Sequence, residues 1–305
     1  MKLATIRLHD KQTVALVEPE RGRVWPIGDL LPGPVSSAAA DMVEIIARLA
    51  QASSGLTPCG EGIPLSEVEV GAPIPNPPRN IMCVGKNYRE HAHEFTRSGF
   101  DTSATSAADA IPEYPIIFSK PCTSISGPEA DIPMIDGLDA AIDYEVELAV
   151  VVGKGGRGIR RENAMEHVFG YTIVNDVTAR DLQARHKQWL LGKGIDGFCP
   201  MGPWIVTRDE LDLQSTRVRC RVNGELRQDA STAALIFDVP TLIETISLGM
   251  TLVPGDIIAT GTPQGVGIGF NPPRFLGDGD VVECEISGIG TLRNTVRRHR
   301  LGAVA

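Results

Sequence analysis

Leu148-Ala-Val-Val-Val152 is an apolar, largely β-branched run that directly follows Asp143-Tyr-Glu145-Val-Glu147. A strand this apolar is buried on both faces, so the fold that contains it must also compensate the carboxylates leading into it. Side chains alternate along a strand, which puts Glu145 and Glu147 on the same face, about 6 to 7 Å apart at the backbone. Two ionised carboxylates so placed repel strongly in a low dielectric. The pattern leaves two arrangements open: a half-exposed edge strand with a solvated acidic face, or a divalent cation held between the pair. Tyr171-Thr-Ile-Val-Asn175 is a second strand of buried type with Asp176 at its end, where it can join the same face. With no Cys or His at ligand spacing, an all-oxygen set selects a hard ion, Mg²⁺ or Mn²⁺, with waters or substrate oxygens completing an octahedron.

The rest of the chain is strand-rich. Short β-type runs are expected at 81–84, 116–119, 144–152, 171–174, 204–207, 217–222, 257–260 and 281–286, and helices at 89–97, 161–168, 179–186 and 241–247. Strands do not alternate regularly with helices, so the fold class expected is a mixed-sheet α+β architecture, not a doubly wound one. Residues 1–75 read as a small α+β domain, with strands at 2–8, 13–17 and 24–25 and a helix at 41–50. The following GAPIPNPPRN, with its four prolines, reads as an extended linker, so the main domain is expected over 76–305. The polar 98–110 segment reads as a flexible loop, either a lid or a surface insertion.

A chain of 305 residues with 42% hydrophobic content can bury a full core. Its 29 basic and 38 acidic residues give a net charge of −9, which argues against nucleic acid or an anionic membrane surface as the main partner. No apolar run reaches the roughly 18 to 20 residues of a membrane span, and no signal-peptide pattern is present, so a cytoplasmic protein is expected. The six cysteines form no C-x-x-C pair and read as reduced thiols, Cys199 among them as a small buried hydrophobe.

Gly153-Lys-Gly155-Gly-Arg-Gly158 matches a dinucleotide-binding fingerprint, but the preceding strand carries two glutamates and no second βαβ unit follows. His91 and Glu94 stand at i, i+3 on an expected helix, either as a surface pair or as a general base oriented by a carboxylate. Lys193 and Lys120 lie in turn-rich segments beside strands; each is a solvated lysine unless it holds a substrate carboxylate or a developing enolate.

In order and spacing, Val84-Gly-Lys-Asn-Tyr88 with His91, Phe118-Ser-Lys-Pro121, Asp143-Tyr-Glu-Val-Glu147, Asn175-Asp-Val-Thr-Ala-Arg-Asp-Leu-Gln183, Lys193 with Cys199-Pro-Met-Gly-Pro-Trp204, and Gly261-Thr-Pro-Gln-Gly-Val-Gly267 resemble the signatures of the fumarylacetoacetate hydrolase family. The likeness runs over 81–296 and is weaker in the N-terminal unit. It implies a mixed β-roll catalytic domain, usually dimeric, with Glu145, Glu147 and Asp176 as metal ligands. It also implies that His91 and Glu94 activate water, that Lys193 supports the 2-oxo acid end or its enolate, and that Arg180, Gln183 and Thr262 contact substrate. The chain departs from many relatives at Asp196-Gly197 and from some at Lys86, and its 98–110 loop is longer than in compact members.

The expected activity is Mg²⁺-dependent hydrolysis of a carbon–carbon bond in a 2,4-dioxo acid of the acylpyruvate type. Decarboxylase, isomerase or lyase action on a related 2-oxo acid is the alternative. A nucleotide-binding oxidoreductase built on Gly153–Gly158 and a non-catalytic diacid-binding relative are the other readings.

Overall fold

A computed structural model describes residues 1–30, 41–50, 55–99, 110–138 and 140–299. The candidate lid at 98–110 therefore lies, for residues 100–109, outside the described residues.

The strand Val146–Val152 is buried along its whole length, as its composition demands. It pairs antiparallel with Val168–Asn175 on one side, and with Ile257–Ala259 on the other. Around it runs a twelve-stranded mixed sheet that ends on Ile116–Lys120. The strand's even-numbered residues, Val146, Leu148, Val150 and Val152, pack into one hydrophobic cluster; Ala149 and Val151 pack into another on the opposite face. The first cluster is closed by a five-stranded sheet whose inner strands alternate strictly: in Arg217–Val222 and Val281–Ile286 every second residue is buried. The second is covered by the helix Met42–Leu49, capped by the Asp41 side chain on Val43 N, which buries Met42, Ile45, Ile46 and Leu49. Each such side chain contributes about 2 kcal/mol relative to exposure.

The N-terminal strands belong to the same large sheet, because Lys2–Leu8 pairs with Cys199–Thr207 through Lys2 with Val206 and Leu3 with Ile205. Leu3, Val14, Leu16 and Trp25 share a cluster with Ala149, Val151 and Ile205.

Four of the expected helices form, at Met42–Leu49, Arg89–Arg97, Arg180–His186 and Val239–Ser247. The fifth is corrected: Arg161–His167 is a 3₁₀ segment with no side-chain cap, running directly into the strand at Val168. Its first N–H, of Arg161, donates to Glu244 Oε1 at 3.0 Å, and the segment continues as the short i→i+3 connector common between elements. No helix among the described residues is long and apolar enough to cross a membrane.

Candidate active site

Strand parity brings the carboxylates together. Glu145 and Glu147 share the face of Ala149 and Val151, and Asp176 that of Val174 in the same cluster. Carboxylate oxygens of the three lie within 4.8 Å of one another, and all three residues are buried. Backbone bonds fix the junction: Asp176 N donates to Glu145 O at 2.8 Å, and Glu145 N donates to Asn175 Oδ1 at 3.0 Å. Glu147 Oε2 accepts from Gly261 N at 2.8 Å. Gly261 has φ 101°, and a Cβ there would meet Asn87 Cβ at 2.8 Å, so only glycine brings that N–H so close.

Three cations share this dry space. Lys193 Nζ bridges Glu145 Oε2 and Asp176 Oδ2, 2.7 Å from each. Arg180 donates from Nε to Asp143 Oδ2 at 3.0 Å, from Nη1 to Gln183 Oε1 at 3.1 Å, and from Nη2 to Glu145. Lys120 Nζ lies 2.7 Å from Asp176 Oδ1 and donates to the carbonyls of Val177 and Lys193. Lys120 is fully buried behind Asp176 and does not line the cavity, so its ammonium holds a protein carboxylate where a substrate carboxylate was expected. Asp143, left without a role by the sequence, anchors Arg180 and accepts from Gly267 N at 2.6 Å and Ile268 N at 3.1 Å.

Four buried carboxylates, Asp143, Glu145, Glu147 and Asp176, meet three cations that pair with them, Lys120, Arg180 and Lys193, and the buried Lys86 adds a positive charge on the cavity wall. The strain falls on Glu147, whose carboxyl burial pushes well above the usual range, with the like charges of Asp176 and Glu145 adding to it. Burial acts the same way on Glu145, but Lys193 and Arg180 outweigh it and hold that group far below. Asp176 Oδ1 has an ammonium nearby yet no donor in hydrogen-bonding alignment. An oxygen-only donor set with an unsaturated buried oxygen fits a hard divalent ion; it contains no thiolate or imidazole for a soft one.

The helix Arg89–Arg97 carries the opposite wall. His91 Nδ1 lies 3.2 Å from Glu94 Oε2, and the Glu94 carboxylate accepts from Gly265 N at 3.0 and 3.2 Å. Gly265 has φ 99°, and a Cβ would fall 2.0 Å from Arg227 O, so this contact too requires glycine. With Nδ1–H given to the carboxylate, Nε2 keeps its lone pair and can act as a base. His91 lines an open pocket with Glu145, Glu147, Arg180, Gln183, Lys193 and Thr262. Phe95, Phe118 and Trp189 form its aromatic wall, and Trp189 sets its ring edge-on to Phe118 at 5.0 Å. Lys86, also on the cavity, is buried and left-handed at φ 57°, a backbone conformation that costs a non-glycine residue about 1 kcal/mol. Such residues cluster at functional sites.

Two further buried amides, Asn87 within the Val84–Tyr88 signature and Gln228 outside any, have no role assigned from the sequence. Asn87 donates to Phe237 O at 3.0 Å and Thr260 O at 2.8 Å, tying the start of the His91 helix to the loop beyond Ile257–Ala259. Gln228 reaches Val146 and Thr262 from the second sheet. The Gly153–Gly158 loop opens no α-helix, since the 3₁₀ segment follows it. A Cβ on Gly155 would fall 2.8 Å from Leu252 O, and one on Gly153 2.9 Å from Phe169 Cβ. Its glycines serve close packing.

The family model for the fumarylacetoacetate hydrolase C-terminal region matches residues 80–297. The chain is 43% identical over 311 residues to oxaloacetate tautomerase YisK of Bacillus subtilis (strain 168), covering 97% of this chain and 100% of that protein. Among solved structures, a fumarylacetoacetate hydrolase from psychrophilic Exiguobacterium antarcticum aligns with a TM-score of 0.81 at 40% identity, over 98% of this chain and 100% of that one. A maleylpyruvate hydrolase from Sphingobium sp. SYK-6, solved with manganese(II) and pyruvate, aligns with a TM-score of 0.73 at 29% identity, over 98% and 99% of the two chains. By the extent of these matches, this chain belongs to the fumarylacetoacetate hydrolase family.

Proposed function

We propose that this enzyme is a divalent-metal-dependent tautomerase that interconverts keto and enol forms of oxaloacetate or a 2-oxo diacid of similar size, with Mg²⁺ or Mn²⁺ held by Glu145, Glu147 and Asp176. One observation carries the reading: His91, paired with Glu94, shares a cavity with Glu145 and Glu147 of the three-carboxylate cluster. The name of the Bacillus relative, similar along the whole chain, supports the substrate class. The manganese in the maleylpyruvate hydrolase supports the type of ion. The isomerising alternative thus moves ahead of the carbon–carbon hydrolysis that the sequence first suggests.

A divalent ion held by Glu145, Glu147 and Asp176 would supply Lewis-acid polarisation of the 2-oxo acid. His91, with Nδ1–H on Glu94, takes a proton from C3 at Nε2, and the Glu94 carboxylate stabilises the imidazolium that results. The Lys193 ammonium, 2.7 Å from Glu145 Oε2 and Asp176 Oδ2, meets charge moving onto the C2 oxygen. His91 returns the proton to that oxygen. One proton has passed from carbon to oxygen, and no carbon–carbon bond has broken. Lys86 supplies a further positive charge on the cavity wall for the second carboxylate of a diacid.

The test is a chelator-treated enzyme with Mg²⁺ or Mn²⁺ added back, followed by the decay of the enol absorbance of oxaloacetate and by product analysis on an acylpyruvate. Metal-restored tautomerisation is expected. His91→Ala should lower the rate by about 100-fold or more while leaving Mn²⁺ affinity unchanged. Release of pyruvate from the acylpyruvate, without tautomerisation, would return the reading to hydrolysis.

A further inference from the structure

We infer that Gln228 is a positioning residue for the metal centre, acting with Thr262 to complete the hydrogen-bond ladder of the strand that carries Glu145 and Glu147. The inference rests on the reading of those glutamates and Asp176 as metal ligands.

The strand Val146–Val152 runs out of backbone partners on one side before it reaches the site. Its pairing with Ile257–Ala259 covers only Ala149, Val150 and Val151, and Thr260 N adds one bond to Leu148 O at 2.9 Å. Beyond that point the neighbouring chain turns away into the Gly261–Gly267 loop. Val146, which sits between the two glutamates, would leave an N–H and a C=O bare in a buried place, which costs the desolvation of each.

Side chains take over from the backbone. Gln228 Oε1 accepts from Val146 N at 3.1 Å, and Thr262 Oγ1 donates to Val146 O at 2.9 Å. The two are joined, since Gln228 Nε2 donates to Thr262 Oγ1 at 2.8 Å and to Pro263 O at 2.7 Å. Gln228 is fully buried in the strand Glu225–Ser231, so a residue of the second sheet reaches across to finish a strand of the first. Its amide is satisfied on both ends, with the oxygen toward Val146 and the nitrogen toward the loop. Clamping Val146 fixes the backbone on both sides of it, and so fixes where the carboxylates of Glu145 and Glu147 stand relative to Asp176. The same bonds tie the ligand strand to the loop that sends Gly261 N to Glu147 and Gly265 N to Glu94. Gln228 touches neither the cavity nor the reacting atoms; it acts through Val146 and Thr262.

The test measures Mn²⁺ binding by calorimetry and the thermal midpoint of the chelator-treated protein for wild type, Gln228→Met, Thr262→Val and the double variant. Gln228→Met and Thr262→Val should each weaken Mn²⁺ binding by about tenfold or more, the range seen for groups that orient metal ligands. The double variant should lose little beyond either single, because each single already breaks the linked unit. Binding within twofold of wild type in Gln228→Met, or losses that multiply in the double variant, would overturn the inference. If Gln228→Met shows no cooperative unfolding, the near-isosteric Thr262→Val decides, by the same tenfold and twofold marks. A wild type that binds no Mn²⁺ would instead overturn the ligand reading itself and this inference with it.

Discussion

Glu147 is the residue on which the like-charge repulsion of the site falls, and its neighbours explain why. Lys193 and Arg180 are directed at Glu145, Lys193 and Lys120 at Asp176, and among the described residues Glu147 accepts from the backbone N–H of Gly261. Replacing it with the neutral isostere keeps that bond and removes a buried like charge. Glu147→Gln is therefore expected to raise the melting temperature of the chelator-treated protein while abolishing Mn²⁺ binding by calorimetry; a lower melting temperature would show that its charge is better compensated than the geometry indicates. The shared face of Glu145, Glu147 and Asp176 is legible in the sequence because strand parity and one turn set it. The parts of Asp143, Lys120 and Gln228 are not. Asp143 depends on N–H groups 124 and 125 residues away, and Gln228 on a partner 82 residues away, so no local pattern encodes either.

At the scale of elements, legibility follows burial. The strands with apolar runs, such as 81–84 and 144–152, stand out in the sequence. Glu225–Ser231, Gly290–His299 and Asp131–Ile135 do not, because each exposes one face and carries charge or proline there. The helix Val239–Ser247 begins two residues before the expected 241, at its cap: Asp238 Oδ1 accepts from Thr241 N at 3.0 Å, with Pro240 in the first turn. Asp238 also receives both terminal nitrogens of Arg161, at 2.6 and 2.5 Å, which ties this helix to the 3₁₀ segment at Arg161–His167. Asp238→Ala should cost about 1 kcal/mol of stability through loss of the cap. Burial raises the Asp238 pKa, but Arg161 and Thr241 outweigh it and leave the group lowered in the fold. A lowered carboxyl contributes stability above its unfolded pKa, about 3.9, and loses it as pH falls through the folded value. The difference in melting temperature between wild type and Asp238→Ala should accordingly be full near neutrality and shrink in acid. A difference that grows in acid would count against the ion pair.

Across the whole molecule, the two hydrophobic clusters lie on opposite faces of one large sheet, and the N-terminal strands extend that sheet past the proline-rich 71–80 segment. That continuity is hard to read from sequence, because it rests on two residue pairs between positions some 200 apart. The proposed catalytic constellation, by contrast, hangs on a few side-chain bonds at the strand's end, and these do not share the sheet's cooperativity. Local openings cost less than global unfolding wherever few backbone bonds must break. Such a molecule can go silent while keeping its shape: in mild urea, Mn²⁺ affinity is expected to fall before the far-ultraviolet circular dichroism changes, and coincident midpoints would refute this. Spectra that report a native fold would then overstate the fraction of working enzyme, so preparations of this protein are better compared by titrating their metal sites than by their secondary structure.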